Sequence, residues 1–132
     1  MKNQAVVIIS KNISPPPARH EVEVAWILAR YYHCTIEFLK PIDSYKMKTA
    51  DILMNGVMWE IKSPKGNSKT YTIQTQFKKA AKQSPALIID GRRTKLTDSI
   101  IQKQMAAELK RRSRVKKALF ITKSGKVIEN LK

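Results

Sequence analysis

Cysteine, histidine and acidic side chains are all scarce in this chain, and each scarcity removes a class of protein. The single cysteine, Cys34, excludes an internal disulfide, so the fold must hold without oxidative staples. With only His20 and His33 to accompany it, a structural zinc site lacks ligands. The apolar run Ala5 to Ile9 is far too short to span a bilayer, and nothing follows a signal peptide's order of basic, long apolar and small-residue regions. The expectation is therefore a protein without a membrane segment that acts in the cytoplasm unless a carrier exports it. Internal repeats and low-complexity tracts are absent as well.

Acid is outnumbered: ten Asp and Glu stand against 26 Lys and Arg, a formal net charge of +16. A charge so far from zero calls for an anionic partner, and nucleic acid is the partner that basic domains of this size most often meet. At 132 residues and 42% hydrophobic composition the chain suits one domain with a real core and has no room for a second.

The densest chemical information lies in Asp51 to Lys62. Asn55-Gly56 between two apolar runs is a strong hairpin signal, because a type I′ turn needs positive φ at both central residues. A two-residue loop there sets Met54 against Val57, Leu53 against Met58, Ile52 against Trp59, and Asp51 against Glu60. Opposed carboxylates destabilise a sheet unless a positive charge lies between them. Lys62 shares the face of Glu60, since side chains alternate along a strand, while Val57, Trp59 and Ile61 turn to the other face and its core. A divalent cation, Mg²⁺ or Mn²⁺, held by the hard oxygens of Asp51 and Glu60 explains the pair. A surface hairpin partly neutralised by Lys62 is the plainer alternative.

Ala50-Asp51 followed by Glu60-Ile61-Lys62 resembles the motif of the PD-(D/E)xK nuclease superfamily. The resemblance implies that Asp51 and Glu60 bind metal, with the Ile61 carbonyl as a further donor, and that Lys62 assists at the phosphate. Ala50 stands where the motif usually has proline. The wider pattern of His20-Glu21, Trp59 to Pro64, Lys82-Gln83-Ser84 and Ile88-Ile89-Asp90 is similar to the C-terminal tRNA nuclease domain of contact-dependent growth inhibition toxins, from about Glu21 onward. That similarity implies cleavage of RNA, with tRNA preferred over DNA, action in the cytoplasm of a target bacterium after delivery, and an acidic cognate immunity protein. It also implies a restriction-endonuclease-like core.

The remaining elements agree with an α/β fold, a mixed central sheet flanked by helices. A lead-in over residues 1–18 holds a strand at Ala5 to Ser10 and the turn Ser14 to Pro17; residues 19–132 form the core. A helix is predicted over Arg19 to Tyr32, with Glu21, Ala25, Leu28 and Tyr32 on one inward stripe. Glu21 then suits either a third acidic member of the site, preferred to Glu23, or an acid favouring the positive helix N-terminus. Further elements are a strand over Cys34 to Leu39, a polar loop over Ile42 to Thr49, a helix over Thr70 to Lys82, a buried strand over Ala86 to Ile89, a helix over Asp98 to Arg112, and a closing hairpin about Ser124-Gly125.

Phosphate contacts are expected from Lys65 after the central hairpin, from Lys78, Lys79 and Lys82 on one helix face, from Gln83, from Arg92 and Arg93 at a strand end, and from Arg111 and Arg112. These last belong to the basic run Lys110 to Lys117, where six of eight residues are basic, more than helix capping needs. Trp26, Tyr31, Tyr32 and Trp59 are read as packing residues. A binding module without catalysis would answer the charge, but it gives no reason for Asp51 to oppose Glu60.

Overall fold

A computed structural model describes residues 4–41, 50–66, 71–82 and 84–131. The expected loop Ile42 to Thr49 and the expected contact residue Gln83 lie outside them. The elements run β1 (Val6–Ile8), α1 (Arg19–Tyr32), β2 (Thr35–Phe38), β3 (Ile52–Met54), β4 (Val57–Lys62), α2 (Thr72–Ala80), β5 (Ala86–Asp90), α3 (Asp98–Arg111), β6 (Lys117–Ile121) and β7 (Val127–Leu131). All the strands form one seven-stranded sheet whose spatial order follows the chain. The expected α/β class with a mixed, helix-flanked sheet is what forms, and β1 of the lead-in pairs with β2 at its edge.

Strand direction follows from what joins each pair. Helical crossovers make β1 and β2, β4 and β5, and β5 and β6 parallel, while β2 and β3, β3 and β4, and β6 and β7 are antiparallel. The period of two sorts side chains between two cores. Ile36, Ile52, Trp59, Ile61, Ile88 and Leu119 pack with Val24, Ala25, Leu28 and Ala29 of α1. Leu87, Ile89, Ala118 and Phe120 pack with Ile73 and Phe77 of α2 and Ile101, Met105 and Leu109 of α3 on the other face. Hence β5 is buried along its whole length, as its unbroken apolar run predicted.

Helix boundaries have local causes. Before α1, Ala18 is extended, and the Glu21 carboxylate accepts the Ala18 N–H at 2.9 Å, satisfying a donor at the helix start. His33 closes α1 in the left-handed region with φ 51°. Thr97 caps α3 by accepting the Ile100 N–H at 3.2 Å, with Asp98 in the first turn and Lys110 and Arg111 in the last, as the helix dipole favours. Gly91 follows β5 because a Cβ there would lie 2.6 Å from Phe120 Cε1. Among the described residues, no helix is long and apolar enough to cross a membrane.

The central hairpin forms with the predicted turn: Asn55 has φ 50° and Gly56 φ 77°. Its ladder pairs Met54 with Val57, Leu53 with Met58 and Ile52 with Trp59. Nothing lies within 4 Å of a Cβ built on Gly56, so its substitution tests backbone conformation alone. Gly56→Ala should lower stability by about 1 kcal/mol, the cost of a left-handed L-residue, read as a decreased urea midpoint at unchanged slope.

Candidate active site

The parallel strands β4 and β5 and the start of α1 deliver polar residues to one end of the sheet, the carboxyl end, where open α/β sheets bind ligands. Glu60 and Lys62 come from the end of β4, Asp90 from the end of β5, and Glu21 from the first turn of α1. The expected pairing of Asp51 with Glu60 differs in one respect. The β3–β4 ladder ends at Ile52 and Trp59, and Asp51 stands just outside it. Its N–H donates to the Trp59 carbonyl at 3.0 Å, its carbonyl accepts the Leu39 N–H at 2.9 Å, and its Oδ2 accepts the Ile61 N–H at 2.7 Å. A side-chain oxygen takes an N–H that a regular ladder would give to a backbone carbonyl, which anchors the carboxylate against β4.

The two carboxyls still meet. Glu60 is 3% exposed, and its Oε2 is buried without a hydrogen-bond partner. Burial pushes its carboxyl up to about 9, helped by a hydrogen bond and charge repulsion from Asp51 and by the charge of Glu21, with Lys62 pulling the other way. The Oε2 atom is left without a hydrogen-bond partner in this setting. Lys62 Nζ stands 3.9 Å from Glu60 Oε1. A buried, orphaned carboxylate oxygen beside a second carboxylate suits a hard divalent cation. Among the described residues no group of three or more His, Cys, Asp or Glu could hold a metal ion, so Asp51, Glu60 and Glu21 do not form a three-carboxylate cage. Glu21 accepts the Ala18 N–H at the start of α1, and its charge contributes to raising the Glu60 carboxyl.

Beside this pair lies an arrangement that the sequence reading did not resolve. Asp90, fully buried, accepts from Arg92 at Nε (2.9 Å), Nη2 (3.0 Å) and the backbone N–H (3.1 Å). Arg92 also reaches the His20 carbonyl at 3.1 Å and Glu23 at 3.3 Å. Expected at phosphate, Arg92 is instead a strut joining the end of β5 to the start of α1, and Glu23 serves that strut. The Asp that ends an apolar strand was the available signal; Glu23, the partner of Arg92 on α1, is 69 residues from it in sequence. Arg93 does face the site's edge, with Nη1 2.8 Å from His20 Nδ1 and Nη2 3.4 Å from the Ser63 carbonyl. Because arginine only donates, Nδ1 accepts and the ring proton sits on Nε2.

The other basic residues divide by topology. Lys65, exposed, follows β4 at the site end. Helices α2 and α3 each link the end of one parallel strand to the start of the next, so they run back across the sheet. Lys78, Lys79 and Lys82, and the run from Lys110 to Lys117, therefore lie toward the opposite end, about 15 Å away by strand length. Arg111 and Arg112 both pair with buried Glu108, Arg112 at 2.8 Å, so this part of the basic run also has an internal role.

Fold and site together define an α/β domain with paired carboxylates and a lysine at the carboxyl end of its sheet. The model of the contact-dependent growth inhibition CdiA C-terminal domain matches residues 48–127, more than half of the chain, and the protein belongs to that family. The matched segment contains Asp51, Glu60 and Lys62 but not Glu21. Among solved structures, the "CdiA-CT/CdiI toxin and immunity complex from Burkholderia pseudomallei" is similar in fold, with a TM-score of 0.64 over 96% of this chain and 99% of that one, at 14% identity. No curated protein matches the chain.

Proposed function

We propose that this chain is the toxin domain of a contact-dependent growth inhibition system and acts as a metal-dependent nuclease of the PD-(D/E)xK type, cleaving RNA and preferring tRNA. The observation that carries the reading is Glu60: buried, with an oxygen lacking a partner, beside the anchored carboxylate of Asp51. A cofactor-free binding protein gains nothing from that arrangement, which local energetics oppose. Asp51, Glu60 and the Ile61 carbonyl would hold Mg²⁺ or Mn²⁺, which when bound polarises a phosphate and acidifies a water. Lys62 places a positive charge where charge develops on the phosphoryl oxygens. Glu21 orients the attacking water, and Arg93 and Lys65 steady the flanking phosphates.

Family membership and the fold shared with a toxin bound to its immunity protein support the toxin role. They also support an acidic immunity protein as partner, whose charge would complement +16, and action in the cytoplasm of the recipient cell. The test is incubation of the protein with total tRNA and, separately, plasmid DNA, with Mg²⁺, Mn²⁺ or chelator. Cleavage of tRNA with metal alone is the expected result. Cleavage of plasmid only would move the substrate to DNA, and intact RNA and DNA under all conditions would refute the nuclease.

A further inference from the structure

Helix α1 and the turn between β6 and β7 flank an open recess of about 540 Å³ lined by Ile27, Arg30, Tyr31, Gly125, Lys126 and Val127. Its chemistry differs from the carboxylate site. Two cations and an aromatic ring line it together with the apolar Ile27 and Val127, and among the described residues no acidic side chain does. Gly125, with φ 84°, keeps one wall low. Tyr31, expected to pack, is 49% exposed and meets Tyr32 edge-on with ring centroids 4.8 Å apart. Tyr32 is held in turn by a 2.6 Å hydrogen bond to Glu129, so the exposed ring of Tyr31 stands on a fixed support. Arg30 lies over Trp26, its Cζ 5.3 Å from the ring centroid, which presents a guanidinium plane already oriented by a cation–π contact.

A supported aromatic ring, an oriented guanidinium and a lysine lining one recess together with apolar side chains match a nucleobase with its phosphate. The volume falls within the range of small-molecule sites, large enough for one nucleotide. An acidic protein surface would use the cations but has no need of an exposed aromatic ring held beside them. We infer that this recess is a nucleotide subsite of the RNA substrate, in which one unpaired base stacks on Tyr31 and its phosphate is held by Arg30 and Lys126. The inference rests on the nuclease reading for the identity of the strand. Residues 27 to 31 of α1 begin about 9 Å along the helix axis from Glu21, within reach of a strand that crosses the site. The recess would then read an unstacked loop or end, the part of RNA where sequence is accessible.

The test measures affinity for a 12-nucleotide single-stranded RNA, and for the same RNA with abasic sites, in chelator so that no cleavage intervenes. Tyr31→Ala should weaken binding of the intact RNA about tenfold, and of the abasic RNA far less. Tyr31→Phe, which keeps the ring, should bind as the parent does. Lys126→Gln should lower the slope of log affinity against log salt by about one contact's worth. Parent-like RNA affinity and salt slope in Tyr31→Ala and Lys126→Gln would overturn the inference. So would a loss in both variants confined to polyglutamate, which would assign the recess to an acidic protein. Tyr31-dependent RNA binding by a parent that fails to cleave with metal would uphold the subsite and defeat the nuclease reading.

Discussion

Glu60→Gln and Asp51→Ala should each reduce metal-dependent cleavage of tRNA by at least about 10²–10³-fold, the scale seen when one preorganised electrostatic group is removed. Each removes one of the two carboxylates that would hold the ion, and a hard cation that dehydrates reluctantly is held poorly by the other alone. Lys62→Ala should cut the rate while sparing metal affinity, because its ammonium serves the phosphate and not the ion. Affinity for RNA in chelator should stay near the parent's in all three variants, since the broad positive surface supplies most of it. Turnover, metal titration and RNA binding, measured side by side, check the set. Undiminished cleavage in Asp51→Ala and Glu60→Gln would leave only a basic binding protein.

Stability in chelator should fall as pH rises from about 5 toward 9, and Glu60→Gln should remove most of that fall. The sign follows from the raised carboxyl. Between the ordinary carboxyl range and about 9 the folded protein keeps a proton on Glu60 that the unfolded chain has released, so folding takes up a proton and is disfavoured as protons become scarce. The slope can approach about 1.4 kcal/mol per pH unit for one group, and above about 9 the penalty levels off. Lysines titrate in both proteins, so the informative quantity is the difference in urea midpoint between parent and Glu60→Gln at pH 5.5, 7 and 8.5. A constant difference would mean that Glu60 is ionised in the fold throughout. Saturating Mg²⁺ or Mn²⁺ should flatten the parent's slope, because an ion favours the carboxylate form that burial opposes. Activity and stability in chelator then move in opposite directions at Glu60.

Local rules carried the reading as far as local geometry reaches. Asn55-Gly56 determined the turn and the three residue pairs of β3 and β4, because two positive φ values allow few residue types and a two-residue loop fixes register. The apolar period of 3.6 likewise determined α1 and α3 and the inward faces of Ala25, Leu28, Ile101 and Met105, and an unbroken apolar run determined β5. Asp51, Glu60 and Lys62 were legible as a group because one hairpin brings them together. What distant segments do to one another was not. Only the folded sheet carried Arg92 away from solvent into a pair with Asp90 and a reach to Glu23, since the partners are brought close by the crossover of α1. Only the direction of α2 and α3 placed Lys78, Lys79 and the Lys110 to Lys117 run at the end opposite the carboxylates. The recess beside Tyr31 joins residues nearly a hundred positions apart. Periodicity assigns a residue to a face of its own element; which element meets that face is decided by burial of the whole core, and that sum is made only in the tertiary structure.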